Sequence, residues 1–310
     1  MKLKLLVIFL SVLSFMQCST SKKQISDEQV YGQKPPGTTP EIYQPDFKFL
    51  GDVKPDFFTI SPDGNEFCYS AKNPNSKARY DRFLIYYLKK ENGKWSKPEL
   101  AYFVPDSGQG GLPQFSPDGK QFSYTFKGDL YISSKESGMW TTAEKYPEPI
   151  NSEKYECGFS FVKSSNFYFA ANGRPEGKSK QCDIYCCSKN SNNAFGPAVN
   201  LSNVNTERSE CVLAADPDEK YIIFTRYFNK SGNNAVDLFI TFHKKDGSWT
   251  EAQRLEPPIN SPGSNHSPRL STDGKYFFFS QTPLGEKDNS NTKNYWVSTI
   301  MFDELRKSFL

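Results

Sequence analysis

Apolar positions in this chain fall in short bursts of strand length, separated by turn chemistry. Five bursts share one form: Glu66-Phe67-Cys68-Tyr69-Ser70, Gln121-Phe122-Ser123-Tyr124, Asn166-Phe167-Tyr168-Phe169, Lys220-Tyr221-Ile222-Ile223-Phe224 and Lys275-Tyr276-Phe277-Phe278-Phe279. They are alternating or wholly apolar and rich in aromatic and β-branched residues, the composition of strands. Four are preceded by one turn motif: Ser61-Pro62-Asp63-Gly64, Ser116-Pro117-Asp118-Gly119, Asp216-Pro217-Asp218-Glu219 and Ser271-Thr272-Asp273-Gly274. Pro presets φ for a type I turn, Gly accepts a left-handed conformation, and Asp can bond amides inside the turn. A fifth, degraded copy spans 160–166, with Val162-Lys163-Ser164-Ser165 where the Pro-Asp-Gly turn would stand.

Each unit carries a second apolar run. Asp129-Leu130-Tyr131, Asp183-Ile184-Tyr185 and Asp237-Leu238-Phe239 stand 54 residues apart, with Ile85-Tyr86 and Tyr295-Trp296 in the corresponding places of the first and last units. An aromatic follows, Trp95, Trp140, Phe195 or Trp249, and then in the first unit a prolyl segment, Trp95-Ser96-Lys97-Pro98. Pro is tolerated on edge strands, so the aromatic is taken to open an outer strand. Four strands per unit, repeated about every 50 residues, predict a β-propeller. The last unit stops after its third strand, whereas Glu41 to Phe49 precedes the first unit like an orphan outer strand. Pairing the two would close the ring and remove exposed sheet edges. The expectation is an all-β protein, a single propeller of five four-stranded blades closed by an N-terminal strand, with six blades as the alternative.

The chain's first residues change the picture of where it works. Lys2 and Lys4 precede an apolar run of 11 residues, Leu5 to Phe15, too short to span a bilayer. Residues 1–17 therefore read as an export signal. Cys18 follows at once, as in a bacterial lipoprotein signal, and is the candidate lipidation site; an ordinary cleaved secretion signal is the alternative. Residues 18–40 are polar with Pro35, Pro36 and Pro40 and read as a tether. Residues 41–310 would form the propeller. The expected location is outside the cytoplasm, membrane-anchored through lipid only, facing periplasm or cell surface. The formal charge of +3 falls to +1 once Lys2 and Lys4 are removed, so there is no electrostatic case for nucleic acid.

Six further cysteines remain: Cys68, Cys157, Cys182, Cys186, Cys187 and Cys211. Six allow 15 pairings. The favoured reading is that they are unpaired and structural. Cys68 lies inside a core strand as a small hydrophobe, Cys186 and Cys187 face opposite sides of one strand, and Cys157 and Cys211 follow Glu156 and Glu210 as repeat positions. The spacing from Cys182 to Cys187 fits no zinc site.

The Ser-Pro-Asp-Gly turn, the Asp-Leu-Tyr strand and Asp246-Gly247-Ser248-Trp249-Thr250 with Pro258-Ile259-Asn260-Ser261 resemble TolB-like, WD-like propeller repeat proteins of bacterial envelopes. The resemblance spans residues 31–305, from Gly32-Gln33-Lys34-Pro35-Pro36-Gly37 to Asn294-Tyr295-Trp296-Val297. It implies a propeller; its members include periplasmic binding and scaffold proteins, regulatory propellers of peptidases, and a lyase. The degraded turn at 162–165 departs from the pattern.

The peptidase branch requires a Gly-x-Ser-x-Gly elbow in a hydrolase domain, and the chain has neither. The lyase branch requires metal ligands converging at the axis. Only two histidines exist, His243 and His266. His266 enters the last innermost strand and, with Glu156 and Glu210 from neighbouring blades, is a candidate for the funnel; the alternative is a polar channel mouth. The recurring Asp63, Asp118, Asp218 and Asp273 are structural by their recurrence, as are Asp129, Asp183 and Asp237. Insertions at 73–82, 172–181 and 227–236 should lie on one face as loops, where specificity resides on a rigid scaffold. They carry Arg79, Arg82, Arg174 and Tyr227, a basic, aromatic-bearing rim suited to an envelope protein or a glycan. No catalytic residue, metal or cofactor is assigned. The leading expectation is a non-catalytic protein- or glycan-binding scaffold lipoprotein, with a polysaccharide-acting, lyase-like enzyme as the alternative.

Overall fold

A computed structural model describes residues 31–51, 53, 55, 57–76, 82–230, 233–286 and 291–310. Cys18, Arg79 and the export signal lie outside the described residues. Among those described, five separate antiparallel sheets follow one another around a ring, so the count is five blades, not six.

Blade 1 comprises β2 (Phe57–Ile60), β3 (Glu66–Lys72), β4 (Phe83–Glu91), β5 (Lys94–Trp95) and β6 (Glu99–Leu100). Blade 2 comprises β7 (Gly111–Phe115), β8 (Gln121–Phe126), β9 (Asp129–Glu136), β10 (Met139–Trp140) and β11 (Glu144–Lys145). Blade 3 has β12 (Tyr155–Phe161), β13 (Asn166–Asn172), β14 (Cys182–Ser188) and β15 (Val199–Asn200). Blade 4 has β16 (Glu210–Ala215), β17 (Tyr221–Lys230), β18 (Asn233–Phe242) and β19 (Gln253–Arg254). Blade 5 has β20 (Gly263–Leu270), β21 (Tyr276–Pro283) and β22 (Lys293–Ser298), and its fourth strand is β1 (Glu41–Ile42) from the other end of the chain. Glu41 pairs with Trp296 and Ile42 with Tyr295, which is the expected closure, made by two residues rather than nine.

The turns behave as their sequence dictates. Ser61 Oγ donates to Asp63 and accepts from Glu66 N; Ser116 and Ser271 repeat both bonds. Gly64, Gly119 and Gly274 sit at φ between 69° and 75°, and Glu219 holds the same position in blade 4 at φ 58°. A left-handed conformation disfavours a residue with a Cβ. Glu219 is held by bonds from Asn166 and Tyr168 of the next blade.

Each strand sends alternate side chains to opposite faces. Phe67 and Tyr69 therefore join the core shared by blades 5 and 1, and Cys68 joins the core shared by blades 1 and 2. Cys186 and Cys187 divide in the same way between two cores. Five aromatic-rich cores result, each lying between neighbouring blades.

Three expectations are corrected. The aromatics do not open the outer strands. Trp95 and Trp140 close a short hairpin, and the outer pairing is made a few residues later by 99–100 and 144–145, past the bend that the intervening residues impose. Residues 227–230 and 233–236 are strand rather than loop: β17 and β18 pair through them in unbroken register. Finally, Cys157 and Cys182 are joined by a disulfide, so the cysteines are not all free; Cys68, Cys186, Cys187 and Cys211 are. The last blade stops after its third strand as expected, and Ile300–Lys307 then forms a helix, α1, that buries Phe302 against Tyr221 and Phe277.

A feature unseen in the sequence reading fastens the blades. Asn151, Asn205 and Asn260 occupy one repeat position, and each side chain bonds both backbone groups of one residue in the third strand, Leu130, Ile184 and Leu238 respectively. The signal was present as Ile150-Asn151-Ser152, Val204-Asn205-Thr206 and Ile259-Asn260-Ser261.

Candidate binding site at the propeller axis

The inner strands β2, β7, β12, β16 and β20 surround the axis. Aligned by their turns, they place Thr59, Gln114, Ser160, Ala214 and Arg269 at one level. Three of these fasten one blade to the next. Phe115 N donates to Thr59 Oγ1 at 3.2 Å, Gln114 Nε2 donates to Phe159 O at 3.0 Å, and Ala215 N donates to Ser160 Oγ at 3.0 Å. Thr272 Oγ1 links blade 5 to blade 1, donating to Ile60 O at 2.6 Å. Gly158 lets two inner strands approach: a Cβ there would lie 3.2 Å from Val212 Cα.

The central cavity, about 70 Å³, is lined by Phe58, Phe115, Phe159, Phe161, Leu213 and Leu270 among others. It reaches Pro117, Pro217 and Thr272, residues of the turns. Among the described residues, the only charged side chain on its wall is Arg269. That guanidinium lies 5.1 Å from the centre of the Phe58 ring, and 5.6 Å from those of Phe57 and Phe278. Arg269 also lines a groove of about 740 Å³ at the seam between blades 5 and 1, beside Tyr43, Phe47 and Lys293. Burial pulls its pKa down to about 10, so it stays charged at neutral pH.

The residues singled out from the sequence stand elsewhere. Glu156, Glu210 and His266 belong to the opposite, starting ends of the inner strands, and none lines the cavity. Glu156 is fully buried and accepts from Arg174 at 3.0 Å and from Ser152 at 2.8 Å. Glu210 repeats the arrangement, with Arg226 at 2.6 Å and Thr206 at 2.7 Å. Burial raises both carboxyls, and these hydrogen bonds and the neighbouring guanidinium oppose it. In blade 5 the same position is Asn265, bonded to Ser261 and Asp237. His266 is half-buried, with its ring nitrogens 2.9 Å from Ser267 Oγ and 3.0 Å from Thr282 Oγ1; burial lowers its pKa. The three candidates are each engaged locally, and the funnel constellation expected of them does not form. Recurrence explains it: Glu156 and Glu210 serve their own blades, as the turn aspartates do.

Arg174 is likewise not a rim residue. It is buried, donates to Pro149 O, Ile150 O and Glu156, and its guanidinium lies over Phe169 and Tyr185. Arg82 and Tyr227 are exposed. Among the described residues, the one group of three or more His, Cys, Asp or Glu with ligand atoms within 4.8 Å of one another is Cys157, Cys182 and Cys211. It is walled by Leu213, Ile184 and Phe239. Burial raises the Cys211 thiol to about 11. Two of its three sulfurs are spent in the disulfide, and metal binding needs thiolates. The donor set therefore does not fit a metal.

Sequence reasoning missed Arg269. Its signal was the break it makes in a repeat whose other members at that level are Thr59, Gln114, Ser160 and Ala214.

No protein-family model matches the chain, and no curated protein matches it. Solved structures do. A protein described as TolB from Agrobacterium tumefaciens superposes with a TM-score of 0.50 at 19% identity, over 76% of this chain and 73% of that one. TolB from Acinetobacter baumannii gives 0.43 at 18% identity, over 72% and 48%. A protein described as a 6-phosphogluconolactonase from Bacteroides uniformis gives 0.46 at 13% identity, over 79% and 73%. At these identities the likeness is one of fold. Among the described residues, no helix is long and apolar enough to cross a membrane.

Proposed function

We propose that this chain, which folds as a TolB-like five-bladed propeller, is a non-catalytic binding scaffold of the bacterial cell envelope. It would be exported by residues 1–17, lipidated at Cys18 and tethered by residues 18–40. It would receive a protein or glycan partner, with the axial cavity as the principal site and the exposed Arg82 and Tyr227 as further contacts on the opposite rim.

The observation that carries this reading is the broken axial ring. Residues required by every blade maintain the blade, whereas a binding group is needed once. Turn aspartates, clamp asparagines and buried glutamates all recur and are bonded within the fold, with Glu156 Oε2 the one carboxylate oxygen of the buried glutamates that has no partner. Arg269 occurs once, in the largely apolar concave wall that small ligands favour. The lyase-like alternative has less support, because Glu156, Glu210 and His266 each make hydrogen bonds to neighbours of their own.

The test is site-specific photo-crosslinking in living cells. A photoreactive residue replaces Gln114 at the axis, Arg82 on the rim, or Met139, which is exposed on an outer hairpin. Discrete adducts from positions 114 or 82 and none from 139 support the reading. Equal adducts from all three, or none, overturn it. Export and anchoring are tested separately: Cys18→Ala should move the protein from the membrane fraction to the soluble fraction.

A further inference from the structure

Among the described residues, the two buried arginines of this fold are paired with carboxylates. Of the two half-buried ones, Arg306 has no carboxylate but donates to His243 O at 3.3 Å, and Arg269 has neither. Arg174 and Arg226 each meet a buried carboxylate, and Arg254 meets Asp237 at 2.9 Å. Arg269 meets none. Its Nε is buried with no hydrogen-bond partner, and among the described residues no carboxylate comes within ion-pair reach. Three phenyl rings hold the guanidinium in place, and cation–π attraction stabilises the charge. That attraction leaves Nε–H unsatisfied. A buried donor left without an acceptor costs on the order of 1–3 kcal/mol. A guanidinium that is positioned, charged and short of acceptors is a waiting half of a fork-to-fork pair.

The walls say what the other half carries. Among the described residues, no second cation lines the central cavity. A dianion such as phosphate would therefore be half-neutralised in an apolar channel, which is unfavourable. A monoanion with an apolar body fits both the charge and the wall. The volume of about 70 Å³ has room for roughly five waters, so the body is slim.

We propose that Arg269 is the anion-binding residue of the channel and that its ligand is a single carboxylate on a slim apolar stem. This deepens the binding-scaffold reading and rests on it. The carboxylate belongs either to a free short-chain acid or to a glutamate side chain of a partner; the chemistry at Arg269 is the same.

The experiment is calorimetric titration of the full-length protein, purified in detergent, with three probes. Butanoate represents the free acid, N-acetylglutamate α-amide the side chain, and butanamide the neutral isostere. Binding of either acid at least tenfold more tightly than butanamide is expected. Arg269→Met, which keeps the stem over the phenyl rings, should abolish that preference, and Arg269→Lys should weaken it. Butanoate alone binding identifies a free acid, and the capped glutamate alone identifies a partner side chain. Equal binding of acid and amide, no binding of either acid, or an unchanged preference in Arg269→Met overturns the proposal. Circular dichroism confirms that the variants fold, and the acid-versus-amide comparison in the unaltered protein stands without them. If the titrations fail while axial crosslinks persist, the carboxylate assignment falls and the scaffold reading survives. If both fail, both fall.

Discussion

Asn205 faces Ile184 as a neighbouring strand would. Ile184 N donates to Asn205 Oδ1 at 2.8 Å, and Asn205 Nδ2 donates back to Ile184 O at 2.8 Å. One side chain thus satisfies both backbone groups of a fully buried residue. Asn205→Ala leaves Ile184 N without a partner in a site too enclosed for easy hydration, while Ile184 O keeps its bond from Leu201 N at 3.0 Å. An orphaned buried group costs about 1–3 kcal/mol, and the loss should be of that order. Urea unfolding followed by fluorescence measures it. Asn192→Ala, at an exposed turn, should stay within about 0.5 kcal/mol of the unaltered protein. Equal effects would deny the clamp its role.

The seam between blades 5 and 1 should be sensitive to Tyr43. Its ring is buried against Phe278 and Trp296, and its hydroxyl donates to Tyr31 O at 2.8 Å. Removing a buried aromatic side chain costs about 3–5 kcal/mol. Tyr43→Phe, which loses only the hydroxyl, should cost about 1 kcal/mol. Thermal unfolding of the two variants separates packing from hydrogen bonding, and similar losses would contradict the packing account.

His266 supplies a pH dependence whose sign is fixed. Burial lowers its pKa below the usual 6.5, so the folded state favours the neutral ring. The stability arising from that preference is fully present above pH 6.5 and is lost as pH falls through the lower folded-state value. Proton NMR can resolve the ring signals, because the chain contains two histidines. A His266 midpoint at or above 6.5 would reverse the sign.

Thiol mapping should recover one linked pair. Alkylation of the denatured, unreduced protein should modify Cys68, Cys186, Cys187 and Cys211 and spare Cys157 and Cys182. The pair is separated by 25 residues, and closing a loop of that size stabilises by about 3 kcal/mol in the chain-entropy model. Cys157→Ser should lower the unfolding midpoint accordingly. Alkylation of all six would dismiss the link.

What could be read from the sequence follows the periodicity of its causes. Ser61-Pro62-Asp63-Gly64 and its copies act locally, and local turn chemistry is visible in a string. The strand at Glu41-Ile42 was legible because the last unit visibly lacks an edge. The binding candidates were not legible, because a carboxylate's environment depends on which side chain folds back onto it. Arg174 reaches Glu156 across 18 residues and Arg226 reaches Glu210 across 16, and no motif announces either pairing. Cys182 meets Cys157 across an intervening strand, which spacing alone does not forecast. Arg269 was hidden for the opposite reason. It is an exception, and exceptions emerge only after the repeat has been aligned in three dimensions.

The two-residue strand that completes blade 5 sets an order of events. Glu41 and Ile42 are among the first parts of the domain to be synthesised, and their partners Trp296 and Tyr295 are among the last. The separation exceeds 250 residues. Early blades can assemble while the chain is still emerging, but the circle stays open until the final blade arrives. A chain truncated before Trp296 would keep an unpaired sheet edge at each side of the gap, the surface from which strand-exchanged aggregates grow. Completeness of the polypeptide is thus checked by the architecture itself.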